Sequence, residues 1–331
     1  MTAMLDRRAL LWSGGAASLA ILAGCHAPAA KSASKTLRAS ITGKGEGDTR
    51  LLLRASGLRP DGFTVEYSDF QSGHLVVEAL NGGSLDYGGM SEIPPVFAAA
   101  STIQSFRQIA VAHGDVNNQV VLVPKASPIT DLAGLKGKRV GYVRATTSHY
   151  FLIRMLQSVG LGWGDIHPVA LNVSDGQAAF SSGALDAWAI YGFPIQRAIA
   201  SEGARILKTA LGFLSGNYLV SAHVDALADP EMSKLIGAYL GLIKRAYAWA
   251  AAHQGEWAAV IARDIGVPLE YVQDQFRRKS DSYTLRPVSE QAIASQQEVA
   301  DLFADQKLIP HKVDVRPLWD DRFNSIIAQK V

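Results

Sequence analysis

From Thr36 onward, short apolar runs of strand length alternate with longer runs whose apolar residues recur at helical spacing, which predicts an α/β sheet. A first strand is expected over 37–41. It is followed by the glycine-rich turn Gly43-Lys44-Gly45-Glu46-Gly47 and a helix over 49–56. A second strand over 63–67 leads through Phe70-Gln71-Ser72-Gly73 into a helix that runs to Leu80 and stops at Gly82-Gly83. A strand over 85–87 then passes into Gly88-Gly89-Met90-Ser91, read as a turn, and Glu92-Ile93-Pro94-Pro95 opens the next helix with proline where the first turn tolerates it. A second unit begins near Lys125. Residues 131–139 form a short helix and turn, residues 140–143 a strand, and Arg144-Ala145-Thr146-Thr147-Ser148-His149 a hydroxyl-rich turn. The helix after it carries Phe151, Leu152, Met155, Leu156 and Val159 on one face and closes at Gly160. Beyond Val224 the chain reads as helical. The stripe Leu235, Ile236, Tyr239, Leu242, Ile243, Ala246 and Trp249 is a packing face rather than a cofactor site.

The two units repeat one another. Gly83-Ser84-Leu85-Asp86-Tyr87 in the first answers to Gly183-Ala184-Leu185-Asp186-Ala187 in the second, each following a helix. Each copy then runs through a short strand and a turn into a proline-marked helix start, at Pro94 and at Pro194. Matching turns at the carboxyl ends of matching strands imply one cleft lined by both halves.

Length and composition narrow the class. A chain of 331 residues fits two lobes of ordinary size, and 48% hydrophobic with 19% charged residues is globular. A net charge of +2, with no basic cluster interleaved with aromatics, argues against a nucleic-acid surface. Arg7-Arg8 followed by a weakly apolar run to Leu22 has the layout of an export signal. It ends in Leu22-Ala23-Gly24-Cys25, which looks like a bacterial lipobox, so residues 1–24 are expected to be removed and Cys25 to carry a lipid. Residues 25–35 would then tether a soluble body to a membrane. Residues 6–11 also resemble a twin-arginine motif, with Asp6 where a hydroxyl is usual, and the general secretory route stays equally open. Cys25 is the only cysteine, which excludes an intramolecular disulfide and any cysteine-based metal or redox site.

The turn Arg144 to His149 is the stretch with chemical promise. The first N–H groups of a helix lack intrahelical partners and sit at the positive end of its dipole, so hydroxyl residues there suit an anion. His149 could be a neutral donor or a plain helix-start residue. Other chemistry is missing. The histidines show no metal-ligand spacing, so no metal and no cofactor are expected. Gly43 to Gly47 lacks the spacing of a nucleotide loop, and Ser91 lacks the second glycine of a nucleophile elbow. A binding protein is favoured over an enzyme.

Between residues 37 and 315 the chain resembles the solute-binding proteins of ABC importers for aliphatic sulfonates, a group that also holds taurine and nitrate binders. The matching residues are Val77-Glu78-Ala79-Leu80, Gly83-Ser84-Leu85-Asp86, Glu92-Ile93-Pro94-Pro95-Val96-Phe97-Ala98 and Asp131-Leu132-Ala133-Gly134-Leu135-Lys136-Gly137. The match continues through Arg144 to His149, Asp186-Ala187-Trp188-Ala189-Ile190, and Leu308-Ile309-Pro310-His311-Lys312-Val313-Asp314-Val315. The resemblance implies a type II periplasmic-binding-protein fold: two doubly wound α/β lobes joined by two crossing segments near 119–123 and 217–221, with the ligand between them. Lobe 1 would comprise 36–122 and 220–331, and lobe 2 residues 123–219.

Carried over residue by residue, the resemblance puts the anion pocket on Ser91, Thr146, Thr147, Ser148 and His149. Lys44, Gly45, Tyr191, Gly216 and Asn217 line the rest, and Arg144 either adds a charge or lies at the rim. A sulfonate offers only acceptor oxygens, so hydroxyls and N–H groups satisfy it. The implied role is capture of an organosulfonate and its delivery to a membrane permease for sulfur acquisition, by a monomeric lipoprotein in the periplasm or at the cell surface. Two departures from the family pattern stand out. Glu92 replaces the usual Asp, and Tyr191-Gly192-Phe193-Pro194 replaces Trp-Asp-Pro, removing an acid and adding aromatic surface. An aryl sulfonate or sulfate ester is therefore expected over a short alkyl tail. The alternatives are nitrate, taurine or a thiamine-pyrimidine precursor as ligand, an enzyme like the thiamine-pyrimidine synthases, whose cysteine-rich motif is missing here, and a lipoprotein scaffold that binds no solute.

Overall fold

The computed structural model describes residues 35–101 and 104–330. The export signal expected over 1–24, Cys25 and the tether as far as Ser34 lie outside the described residues. Lys35 already opens the first strand and forms an ion pair with Asp229.

The chain builds two sheets in order. β1 (Lys35–Thr42), α1 (Thr49–Ala55), β2 (Phe63–Phe70), α2 (Gly73–Asn81), β3 (Tyr87–Ser91), α3 (Pro94–Ala99) and β4 (Phe106–His113) come first. They are followed by β5 (Gln119–Val123), β6 (Arg139–Tyr142), α4 (Thr147–Ser158), β7 (His167–Ala170), α5 (Val173–Ser181), β8 (Ala187–Tyr191), α6 (Pro194–Glu202) and β9 (Arg205–Thr209). β10 (Asn217–His223), α7 (Val224–Ala228), α8 (Pro230–Ala252), α9 (Gln254–Ile265), α10 (Leu269–Arg277), β11 (Thr284–Arg286), α11 (Glu290–Asp305) and α12 (Asn324–Ala328) complete it. One sheet has the order β11-β4-β10-β3-β1-β2 and the other β7-β6-β8-β5-β9.

The repeat seen in the sequence is a repeat of topology. In the first sheet β1 pairs in parallel with β2 and β3; in the second β6 pairs in parallel with β7 and β8. An antiparallel strand then lies beside each third strand, β10 beside β3 and β5 beside β8. The shared Gly-x-Leu-Asp has one structural job in both copies. The Asp86 carboxylate accepts from the Arg38 backbone N–H at 2.8 Å and from its guanidinium at 2.6 and 3.1 Å. Asp186 does the same for Arg139, at 2.8, 2.9 and 3.2 Å. The arginines also donate to the carbonyls of Gly83 and Gly183. Each Asp thus locks the entry of one strand against the start of its neighbour with charge-assisted bonds.

Two expectations change. β3 begins at Tyr87, later than expected, and continues through Gly88 and Gly89 to Ser91, where a turn was expected. Small residues let the strand lie close beneath α2: a Cβ on Gly88 would come within 2.6 Å of Val76. The crossings expected near 119–123 and 217–221 are instead regular strands, β5 inside the second sheet and β10 inside the first. The chain passes between sheets one step earlier each time, over 114–118 and over 210–216. There the Gly114 N–H donates to the Gly216 carbonyl at 3.0 Å, so the two passages run side by side.

Core clusters cover both faces of each sheet. The helical tail belongs to the first sheet. α8 and α9 press Tyr239, Ile243, Ala246, Trp257 and Ile261 onto the face that also carries Tyr87 and Val220, and α11 sets Phe303 against Val96 on the opposite face.

Candidate functional site

A cleft of about 230 Å³ opens where the carboxyl ends of β1, β3 and β8 meet the amino end of α4. Its position follows from the repeat, because parallel strands of both sheets present their carboxyl ends to the same gap.

At the α4 end, Thr146 is the N-cap in extended conformation, and its hydroxyl donates to the Val143 carbonyl at 2.7 Å instead of capping the helix. Ala145 before it adopts φ +57°, unusual for a residue with a side chain and a source of local strain. With the cap hydroxyl turned away, the backbone N–H groups of Thr147 and Ser148 have no partner among the described residues. Thr146 and Thr147 line the cleft, with Ser91 from the end of β3. The Tyr191 hydroxyl is buried beside Thr146 without a hydrogen-bond partner, and burial pushes its pKa above the ordinary phenol range. It is therefore a neutral donor.

The structure does not bring all the expected residues to the cleft. Ser91, Thr146, Thr147, Lys44, Gly45 and Tyr191 line it; Ser148, His149, Arg144, Gly216 and Asn217 do not. The Ser148 hydroxyl accepts from the Val143 N–H at 3.0 Å and is fully buried, fastening the turn to β6. His149 points away into an aromatic cage of Tyr142, Trp163 and Phe303, with centroids 4.8 to 5.3 Å apart. Burial, with help from Arg144, lowers its pKa to about 4, so the ring is neutral. Arg144 is exposed. Gly216, at φ +81°, belongs to the paired crossings, and Asn217 binds His113 at 3.1 Å. Gly45 lines the cleft, but its N–H is taken by Asp264 at 2.9 Å.

Several lining residues carried no marker in the sequence. Tyr87, Tyr218, Tyr247 and Tyr283 bring phenol rings from β3, β10, α8 and the loop before β11. Phe193 packs over the turn at Gly43, 3.9 Å from where its Cβ would stand. Glu46 lines the same region, paired with Lys279 and receiving a bond from the Gln275 amide at 3.3 Å. Burial raises its pKa while Lys279 pulls it back. In the sequence Tyr247 is one more aromatic in a packing helix. Only the fold turns it inward, although the acid-to-aromatic change at 191–194 did point to an aromatic wall. Among the described residues no group of three His, Cys, Asp or Glu side chains is placed to hold a metal ion.

Residues 59–257 match the family described as NMT1/THI5 like. A putative aliphatic sulfonates-binding protein of Escherichia coli is 32% identical over 257 residues, 77% of this chain and 79% of that protein. The alkanesulfonate-binding protein SsuA from Xanthomonas axonopodis pv. citri, solved bound to MOPS, superposes with a TM-score of 0.76 at 27% identity, over 86% of this chain and 98% of that one. The periplasmic aliphatic sulphonate binding protein SsuA from Escherichia coli gives 0.73 at 29% identity, over 87% and 92%.

Proposed function

The chain belongs to the NMT1/THI5-like family, and on that footing we propose that it is the extracytoplasmic solute-binding component of an ABC importer that captures an organosulfonate. The fold is that of the type II periplasmic binding proteins, with the two sheets as the cores of two lobes. One observation carries the ligand class. The polar end of the cleft offers the Ser91 and Thr147 hydroxyls and the free N–H groups at the start of α4. These are donors without a formal charge, suited to an anion that has only acceptor oxygens. Each charge-assisted bond contributes about 1.5 to 3 kcal/mol net, so four or five offset desolvation of one sulfonate. Lys44 is exposed at the mouth and adds long-range attraction.

The rest of the cleft is aromatic, which favours an aryl or otherwise bulky tail over a short alkyl chain. Closure of the lobes about the passages at 114–118 and 210–216 is the change a permease would read. Processing at Cys25 would hold the protein at the membrane, and no catalytic step is assigned to it.

Calorimetry of the purified protein against benzenesulfonate, ethanesulfonate, taurine and nitrate tests the reading. Tightest binding of the aryl sulfonate is expected. Binding of nitrate alone, or of no sulfonate, overturns it.

A further inference from the structure

The cleft is long, and its far end is not merely greasy. Tyr87, Gly89 and Ser91 alternate along β3, so all three face the same side of the sheet, and all three line the cleft. Gly89 has open space where a side chain would be, which leaves a trough between Ser91 and Tyr87. The four residue-to-residue steps from Tyr87 to Ser91 make that trough about 13 Å long. Tyr247 from α8 lines the cleft as well, near enough to Tyr87 to help raise the pKa of that phenol. Neither hydroxyl has a hydrogen-bond partner among the described residues, and neither is sealed off from the cleft. Burial holds both phenols well above their ordinary pKa, so they are neutral groups that donate and accept. Of the nearby carboxylates, Glu46 is paired with Lys279, and Asp115 accepts from the Asn117 N–H and from Ser280. Each hydroxyl thus opens on the cleft, free to bond water or a ligand, whereas phenylalanine would fill the same space and offer no such group.

We infer that the cleft selects organosulfonates whose tail ends, away from the sulfonate, in a hydroxyl or similar neutral hydrogen-bonding group, held by Tyr87 and Tyr247. This rests on the sulfonate reading above and adds the chemistry of the tail. A second charge on the tail would not be matched, because Glu46 and Lys279 already cancel.

The experiment is calorimetry of the purified protein with matched pairs of two lengths: 4-hydroxy- against 4-methylbenzenesulfonate, and 6-hydroxy- against 6-methylnaphthalene-2-sulfonate. Methyl and hydroxyl are close in size, so each pair isolates the hydrogen bond. At least a tenfold preference for the hydroxyl ligand is expected in one pair or both. It should fall to threefold or less in the double variant Tyr87→Phe and Tyr247→Phe, and partway in Tyr247→Phe alone, with melting temperature checking that each variant folds. Tight binding of all four ligands without preference overturns the inference and leaves the sulfonate reading standing. So does a preference that survives the double variant. Failure of every sulfonate to bind removes both.

Discussion

Thr147 and Ser148 are adjacent hydroxyl residues at one helix start, yet they have different work. The Ser148 hydroxyl satisfies the buried Val143 N–H, so Ser148→Ala should cost about 1 to 3 kcal/mol of stability, read by urea denaturation. The Thr147 hydroxyl faces the cleft, so Thr147→Ala should weaken sulfonate binding by roughly tenfold with little change in melting temperature. Equal effects of both variants on stability would contradict this division. Glu92 is the other residue whose surroundings decide its role. It is buried, accepts from Ser215 at 2.6 Å and from Ser295 at 3.0 Å, and faces the carboxylate of Glu298. Burial is the main cause that lifts its pKa to about 7. Below the ordinary carboxyl range folded and unfolded chains both hold the proton, and nothing is lost. As pH rises from there to about 7 the unfolded chain releases it first, so stability falls by roughly 3 kcal/mol in all and then levels. Glu92→Gln should remove that slope between pH 4.5 and about 7 in denaturation curves.

At the scale of elements, β3 does the most and was the least legible. Gly88 and Gly89 read as a turn because glycine is poor in strands, but here each absence of a side chain has a use. Gly88 admits α2 from one face and Gly89 leaves the trough open on the other. Gly89→Val keeps a residue that strands favour and fills the trough. It should reduce affinity for a naphthalenesulfonate at least tenfold more than for methanesulfonate, by calorimetry, and a uniform loss would show that the tail does not lie along β3. The Asp86 and Asp186 locks, by contrast, were visible as a repeated motif. What the sequence did not show was their partners, Arg38 and Arg139, 48 and 47 residues away.

At the scale of the whole molecule, the two passages between sheets touch at Gly114 and Gly216. A Cβ on Gly216 would stand 2.9 Å from the Gly114 carbonyl, at a backbone angle that side chains resist. Gly216→Ala should therefore lower the melting temperature and alter the affinity for sulfonate through the hinge rather than through contact with ligand. Unchanged stability and affinity would show that the passages do not have to run so close. The lobes meet across the cleft where Ser174 donates to Gln71 at 3.4 Å and where Phe193 reaches the turn at Gly43.

Periodicity, the Gly-x-Leu-Asp repeat and the proline-marked helix starts determined the α/β class, its duplication and the place of the cleft, because these are local patterns repeated at a fixed offset. Local reading of the hydroxyl-rich turn pointed to Thr146 and Thr147, with Ser91 added by the family resemblance, and all three line the cleft. It could not tell which of several adjacent polar groups faces inward. Ser148 and His149 sit one and two residues past the N-cap's neighbour and turn to the core, Ser148 onto Val143 of the same turn and His149 onto Trp163 and Phe303 from elsewhere in the chain. The tail pocket belongs wholly to the tertiary structure. Tyr87, Tyr218, Tyr247 and Tyr283 are scattered over almost two hundred residues of sequence, and nothing local distinguishes them from core aromatics until the packing of α8 on the first sheet brings them to one space.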